Sequence, residues 1–368
     1  MRAERLPFEH VQHHWGTQMN EQKLESFFQK LVNDLGAAFS IAPVRIGGAL
    51  GLYGAMAQLG RFSSQELASA TGLAERYVRE WLWHQAASGY IEYDAQTTRF
   101  TLPPEHAFLL ADPQSPAYVV PGFDAAAALS ENMQSVMHAF RTGEGVAWAQ
   151  QAGCIACAIA EFFRPGYRTN LIESWLPALD GLFERLKAGA LVADVGCGHG
   201  HTTIMMAKTF PNSHFIGIDP HGPSIEAARL HAASHADIEN LTFAVGSAQE
   251  LEGEFDFVTC FDCLHDMGDP IGAAQRIRKS LRSNGSWMIV EPFAHDEPEK
   301  NFTPIGRMSY AASTMTCVPG ALAQKGGVAL GAQAGEFCLR EVIVNGGGFA
   351  RVKRVAETPL SMVLEATL

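Results

Sequence analysis

Residues 191–200 read Leu-Val-Ala-Asp-Val-Gly-Cys-Gly-His-Gly, and residues 214–219 read His-Phe-Ile-Gly-Ile-Asp. An apolar run, three alternate glycines, a second apolar run and an acid at its tip describe a buried strand, a tight turn, a helix start and a second strand. Glycine lets the backbone turn tightly and pass close beneath a nucleotide-like ligand. An acid at the end of the second strand is placed to hold two ribose hydroxyls. Asp194, two positions before Gly196, makes the pattern DxGxGxG, far more specific than a lone glycine motif.

The remaining 190 or so positions on the N-terminal side and the rest of the 368-residue chain suggest two domains. The chain is 47% hydrophobic and 18% charged, enough to build a large core. Its formal net charge of −12 argues against partners that demand clustered positive charge, namely nucleic acid and anionic membranes. Met1–Pro7 has no apolar core of a secretory leader, and the uncharged-looking run from Ile46 to Gly60 is too short to span a bilayer, so a cytoplasmic protein is expected. Seven cysteines, an odd number in a long chain, read as reduced thiols. The pairs Cys154/Cys157 and Cys260/Cys263 could together supply four zinc thiolates, but buried small thiols suit their apolar surroundings better, and no metal centre is expected.

Residues 20–60 have a helical pattern, with Leu31, Leu35 and Phe39 among the spaced apolar positions. Ser63-Ser64-Gln65-Glu66 is a capping signal for a short helix ending at Thr71-Gly72. A second helix is expected over Leu73–Ser88, stopped by Gly89, and Tyr90–Leu102 alternates and turns like a hairpin. Helix, turn, helix and hairpin make a winged-helix pattern. From Ile41 to Asp112 acids outnumber Arg45, Arg61, Arg76, Arg79 and Arg99, and the second helix carries Trp81 and Trp83, so it looks built to pack on protein rather than read a major groove.

Residues 105–190 read as mostly helical, punctuated by Pro113, Pro116, Pro121 and Pro165. Trp148, Phe162, Phe163, Met133 and Met137 are expected in the core, some doubling as ligand wall. Strands are expected at 190–195, 213–218, 241–245, 255–261, 286–291, 351–357 and 361–367, with helices at 201–209, 222–234, 270–282 and 333–346. This is α/β, a doubly wound Rossmann-like sheet of seven strands with the last antiparallel, behind an N-terminal, mostly helical winged-helix domain. The expected domains are 1–170 and 171–368, with an insert at 296–332 that suits a lid or pocket segment.

The motif resembles the cofactor site of class I S-adenosylmethionine (SAM) methyltransferases. That resemblance implies that Gly196, Gly198 and Gly200 lie beneath SAM, that Asp194 fixes its amino-acid end or the turn, and that Asp219 binds the ribose with Pro220 and His221 beside the adenine. Gly246, Ser247, Ala248 and Phe261 complete the expected cofactor wall. Ser247 stands where the family often has an acid, and His199, His201 and His221 are read as cofactor-side or solvent contacts. The stretch Leu264-His265-Asp266-Met267-Gly268-Asp269 resembles the Leu-His-Asp-Trp-x-Asp segment of small-molecule O-methyltransferases, with Met267 in place of tryptophan. Those enzymes carry a winged-helix-like dimerisation domain, and in them the histidine is the general base. The resemblance implies that His265 deprotonates a small, hydroxylated, apolar acceptor, with Asp266, Asp269 or Glu291 orienting the ring, in a homodimer. The layout is also similar to a group of bacterial proteins that carry Ala-Leu-Gly-Ala-Gln-Ala-Gly-Glu, here Ala329–Glu336. The competing expectation is a ligand- or SAM-sensing transcriptional regulator.

Overall fold

A computed structural model describes residues 19–151, 154–235 and 238–368; the reading of Met1–Pro7 lies outside them. Its strands are β1 (Arg61–Phe62), β2 (Glu92–Asp94), β3 (Arg99–Thr101), β4 (Leu191–Val195), β5 (His214–Asp219), β6 (Leu241–Val245), β7 (Phe255–Phe261), β8 (Leu281–Pro292), β9 (Arg351–Glu357) and β10 (Ser361–Thr367). Seven of them form one sheet in the order β6-β5-β4-β7-β8-β10-β9. Neighbours from β6 to β8 pair in parallel, and β10 runs antiparallel to both β8 and β9.

The sheet is covered on both faces, which is why its strands read as continuous apolar runs rather than alternating ones. Consecutive residues fall into opposite cores. Val192, Phe257, Met288 and Val363 belong to one cluster, while Ala193, Val258, Ile289 and Leu364 belong to the other. The chain leaves β4 toward β5 and β6 on one side, then crosses to β7 and β8 on the other. Strand order therefore reverses between β4 and β7, and a crevice opens at their carboxyl ends.

Contacts divide the chain at Pro113/Gln114, earlier than the expected boundary after residue 170. The physical reason is that the helix Ile155–Asn170 belongs with the sheet: Tyr167 is buried in the same core as Phe257 and Phe261. The insert is likewise structured, with helices Pro304–Ala312 and Val318–Leu322. The expected helix at 333–346 is Gly335–Arg340 followed by a wider π-helical turn, Glu341–Gly346.

In the N-terminal unit, helices Glu21–Ala49 and Leu52–Leu59 precede the winged-helix elements. The capping box forms as read: Glu66 N–H donates to Ser63 Oγ at 3.3 Å, and Ser63 N–H to Glu66 Oε2 at 2.7 Å. Gly72, in the left-handed region at φ 68°, ends that helix. The second helix is Glu75–Ala87, and Trp83 packs on the hairpin residues Tyr93 and Phe100. Arg76 pairs with Glu80 and Arg79 with Glu75 on this same helix, while Arg61 pairs with Asp94 and Arg99 with Glu66. No single helix among the described residues is long and apolar enough to cross a membrane.

The cysteine reading needs correction. Cys154 and Cys157 are joined in a disulfide, Cα–Cα 5.1 Å, and Cys154 is exposed rather than buried. Three residues apart at a helix start, the two side chains face each other. Cys260 is buried as expected.

Gly200 is needed for packing. It starts the helix His201–Thr209 at φ 75°, and an added Cβ would lie 2.5 Å from the Phe243 ring. Combining a left-handed backbone with overpacking, Gly200→Ala should lower stability by about 2–4 kcal/mol. Urea unfolding checks this, and an unchanged midpoint would refute it.

Candidate active site

The crevice between the ends of β4 and β7 holds a cavity of about 850 Å³, within the usual range for small-molecule sites. Gly196 and Gly198 line it, at φ 73° and 52°. Both take a turn that side-chain-bearing residues resist. A Cβ on Gly196 would also meet Cys263 Sγ at 2.6 Å, so the turn lies directly against the end of β7. Asp219, at the tip of β5, braces the turn: Oδ2 accepts from Gly198 N–H at 3.0 Å and Oδ1 from His221 N–H at 2.8 Å. Burial pushes its carboxyl upward, and these two backbone bonds pull it back. Pro220, His221, Ser247, Ala248 and Phe261 share the cavity wall, as do His199 and His201. Ser247 donates from Oγ to Glu250 Oε2 at 2.9 Å, so a carboxylate stands three residues after the position where the family's acid was sought.

Three expected cofactor residues lie off that wall. Asp194 is fully buried and receives hydroxyl bonds from Thr202 (2.9 Å), Thr203 (2.6 Å) and Thr259 (2.8 Å). Burial pushes its carboxyl to about 6, against the pull of those hydroxyls. Asp194 thus ties β4 to β7 and to the start of the helix His201–Thr209, fixing the turn from below. Gly200 faces Phe243, and Gly246 donates its N–H to the Asp219 carbonyl at 3.1 Å.

His265 follows β7 on a short turn, Leu264–Asp266, and is buried. Its Nδ1 lies 2.5 Å from Glu291 Oε2, while Glu291 Oε1 accepts from Leu264 N–H at 2.8 Å. Glu291, near the end of β8, therefore fixes both the ring and the turn that carries it. Nε2 points the other way, 3.3 Å from Asp266 Oδ1. Asp266 lines the cavity; His265 and Glu291 stand behind it. Burial opposes a charge on His265, but Asp266 and Glu291 outweigh it and hold the imidazole well above its ordinary value. Burial raises Asp266. Asp269 orients no ring and instead caps the helix Pro270–Ser280, accepting from Gly272 N–H at 2.8 Å.

The insert packs onto this turn. Gln324 donates to the Asp266 carbonyl at 2.7 Å and accepts from Gly268 N–H at 3.1 Å. Cys317 lies against His265 and Asp266, and burial pushes its thiol to about 12. The donor atoms of His265, Asp266 and Cys317 sit within 4.8 Å of one another, a set whose chemistry could hold a borderline cation such as zinc. Here they serve as partners to one another. Ala329–Glu336 lies off the cavity wall: Gly331 and Gly335, both with positive φ, let the backbone approach Ser313 and Asp296.

The opposite wall is apolar. Trp148, Ile159 and Phe163 contribute to it, whereas Phe162 packs beside Gly122, and Met133 and Met137 are exposed. Two residues not singled out by the sequence complete the floor. Tyr167 donates its hydroxyl to Asp262 Oδ2, and both line the cavity. Asp262 has φ 49°, rare for a side-chain-bearing residue and a strain of the kind found at functional sites.

Residues 186–329 match the family model described as a methyltransferase domain, and residues 37–112 match the Rv2258c-like winged HTH domain. A trans-aconitate 2-methyltransferase of Deinococcus radiodurans is 34% identical over 107 residues, 29% of this chain and 40% of that protein. The chain spans about half, or less, of the length of the curated relatives it matches. Among solved structures, an O-methyltransferase family protein from Burkholderia thailandensis aligns with a TM-score of 0.66 at 17% identity, covering 92% of this chain and 97% of that one. Human N-acetylserotonin methyltransferase, solved with SAM, aligns at 0.67 and 14% identity, again covering 92% and 97%. At such identities the likeness is one of fold. Along the chain, a segment that matches a winged helix-turn-helix model is thus followed by one that matches a methyltransferase model, and the fold is similar to that of solved O-methyltransferases.

Proposed function

We propose that this protein is a SAM-dependent methyltransferase acting on a small, apolar, hydroxylated acceptor. The observation that carries the reading is one cavity bringing together the glycine turn, the braced Asp219 and an apolar wall at the strand-order reversal. The residues fit SAM: Gly196 and Gly198 leave room for its amino-acid end, Asp219 faces its ribose, and Ser247, Ala248 and Phe261 border its adenosine side. When bound, SAM supplies an electrophilic methyl group. The chain's own part is to align an acceptor, exclude water and take up a proton. Asp266 meets the acceptor hydroxyl, and His265, oriented by Glu291, receives the proton as general base.

The wall carries Asp219, Glu250, Asp262, Asp266 and Asp269 against one lysine, Lys325. That balance repels polyanions, so trans-aconitate is a poor acceptor here despite the similarity to an enzyme named for it. The test is a mass-spectrometric assay with SAM and a panel of neutral phenols, including catechol and 1-naphthol, beside trans-aconitate. Methylation of a phenol and none of trans-aconitate is expected; the reverse would overturn the acceptor class.

The reading includes a homodimer in the cytoplasm. The helix Glu21–Ala49 exposes Phe27, Leu31, Leu35 and Phe39 at helical spacing, with Phe39 77% exposed, which suits a second copy of the chain. Sedimentation should give a dimer at micromolar concentration, shifted toward monomer by Leu35→Glu; a wild-type monomer would exclude it. The regulator reading is disfavoured by the arginine–glutamate pairing on the second winged helix.

A further inference from the structure

We infer that Asp262, held by Tyr167, is the fixed counter-charge for the cationic methyl donor and lets the protein bind SAM in preference to its neutral product, S-adenosylhomocysteine (SAH). The inference rests on the SAM reading above and adds a residue and a selectivity to it.

Asp262 directly follows β7, at the strand-order reversal, and the next residue, Cys263, abuts the glycine turn at Gly196. The acid therefore sits where the cofactor end of the cavity meets the acceptor end. It is kept there despite a left-handed backbone.

The hydrogen bonding of Asp262 is incomplete. Tyr167 occupies Oδ2, and burial, with the neighbouring Asp262 charge, keeps the phenol protonated and able to donate. Oδ1 is sealed from solvent and has no hydrogen-bond donor among the described residues. An ionised carboxylate with one orphaned oxygen is costly to bury unless a positive charge lies nearby.

Glu291 from β8, His265 and Asp266 from the following turn, and Tyr167 from the helix Ile155–Asn170 face Asp262. Three carboxyls thus share a single imidazolium, which lies between Asp266 and Glu291. The cluster lacks positive charge. Burial first, and Glu291 next, push the Asp262 carboxyl to about 7 in the ligand-free protein. A sulfonium entering the cavity favours the carboxylate and expels the proton, whereas an uncharged thioether does not.

The sign follows. Asp262 carries its charge increasingly above pH 7, so preference for SAM over SAH grows as pH rises through that value. Calorimetric titration of SAM and of SAH at pH 6, 7 and 8, in buffers of different ionisation enthalpy, reads both affinity and protons released. The SAM-to-SAH affinity ratio should rise about five- to tenfold from pH 6 to 8. SAM should release about half a proton more than SAH near pH 7. Asp262→Asn keeps the shape and the Tyr167 bond; it should retain SAH affinity and its melting temperature while losing both pH effects. Tyr167→Phe, which removes the bond favouring the carboxylate, should displace the rise to higher pH. A flat ratio in the wild type, or an undiminished rise in Asp262→Asn, overturns the inference while leaving SAM binding intact. Failure of the wild type to bind either ligand overturns the cofactor reading and this inference with it.

Discussion

His265→Ala is expected to lower turnover on a phenolic acceptor by about 10²–10⁴-fold, the usual contribution of general acid–base catalysis. SAM affinity should change little, because His265 stands behind the cavity wall while the glycine turn and Asp219 lie on it. Glu291→Gln should be nearly as damaging. It removes the charge that fixes the imidazole through Nδ1 and weakens the acceptor of Leu264 N–H that shapes the turn. The pH profile gives a second readout. Asp266 and Glu291 raise the His265 imidazole above its ordinary value against burial, and a base works only after losing its own proton. Wild-type turnover should therefore rise with pH above neutrality, and His265→Ala should lose that limb. Normal turnover in His265→Ala, measured by methyl transfer from labelled SAM, would remove the base role.

The second large effect is expected at Asp219. Asp219→Ala deletes the proposed ribose acceptor and also strips Gly198 and His221 of the acceptor for their backbone N–H groups. Hydrogen bonds to a charged group contribute about 1.5–3 kcal/mol each, so SAM affinity should fall at least about 100-fold. Asp219→Asn keeps one acceptor oxygen and should fall between the two. The pairing separates ribose recognition from loop support: a variant that loses affinity with an unchanged melting temperature has lost the ligand contact alone. Affinity within about threefold of wild type in Asp219→Ala would show that the acid serves only the fold.

The strands and the glycine turn were legible because their signals are local. Buried parallel strands repeat apolar residues over five to seven positions, and Gly196, Gly198 and Asp219 belong to a single strand–turn–strand unit. Asp194 and Gly200 illustrate the limit of such reading. Both belong to the motif, yet their roles depend on Thr259 of β7 and Phe243 of β6, which the local pattern does not bring into view. Tyr167 and Asp262 were hidden for the same reason, lying 95 residues apart in sequence and meeting only once the helix Ile155–Asn170 seats on the sheet. The unit boundary falls at residue 113, with the helix Ile155–Asn170 seating Tyr167 in the core of the sheet. In the histidine turn, the Leu-His-Asp pattern points to His265 and Asp266, and Glu291 is among the acids expected to orient the ring, but only the fold brings Cys317 to them.

Calorimetric titration of SAM into the wild-type protein reads the occupancy of the cavity directly. One SAM per chain, bound with micromolar affinity, is the predicted result. No measurable binding across millimolar SAM would contradict the account, because the glycine turn and Asp219 would then serve another ligand.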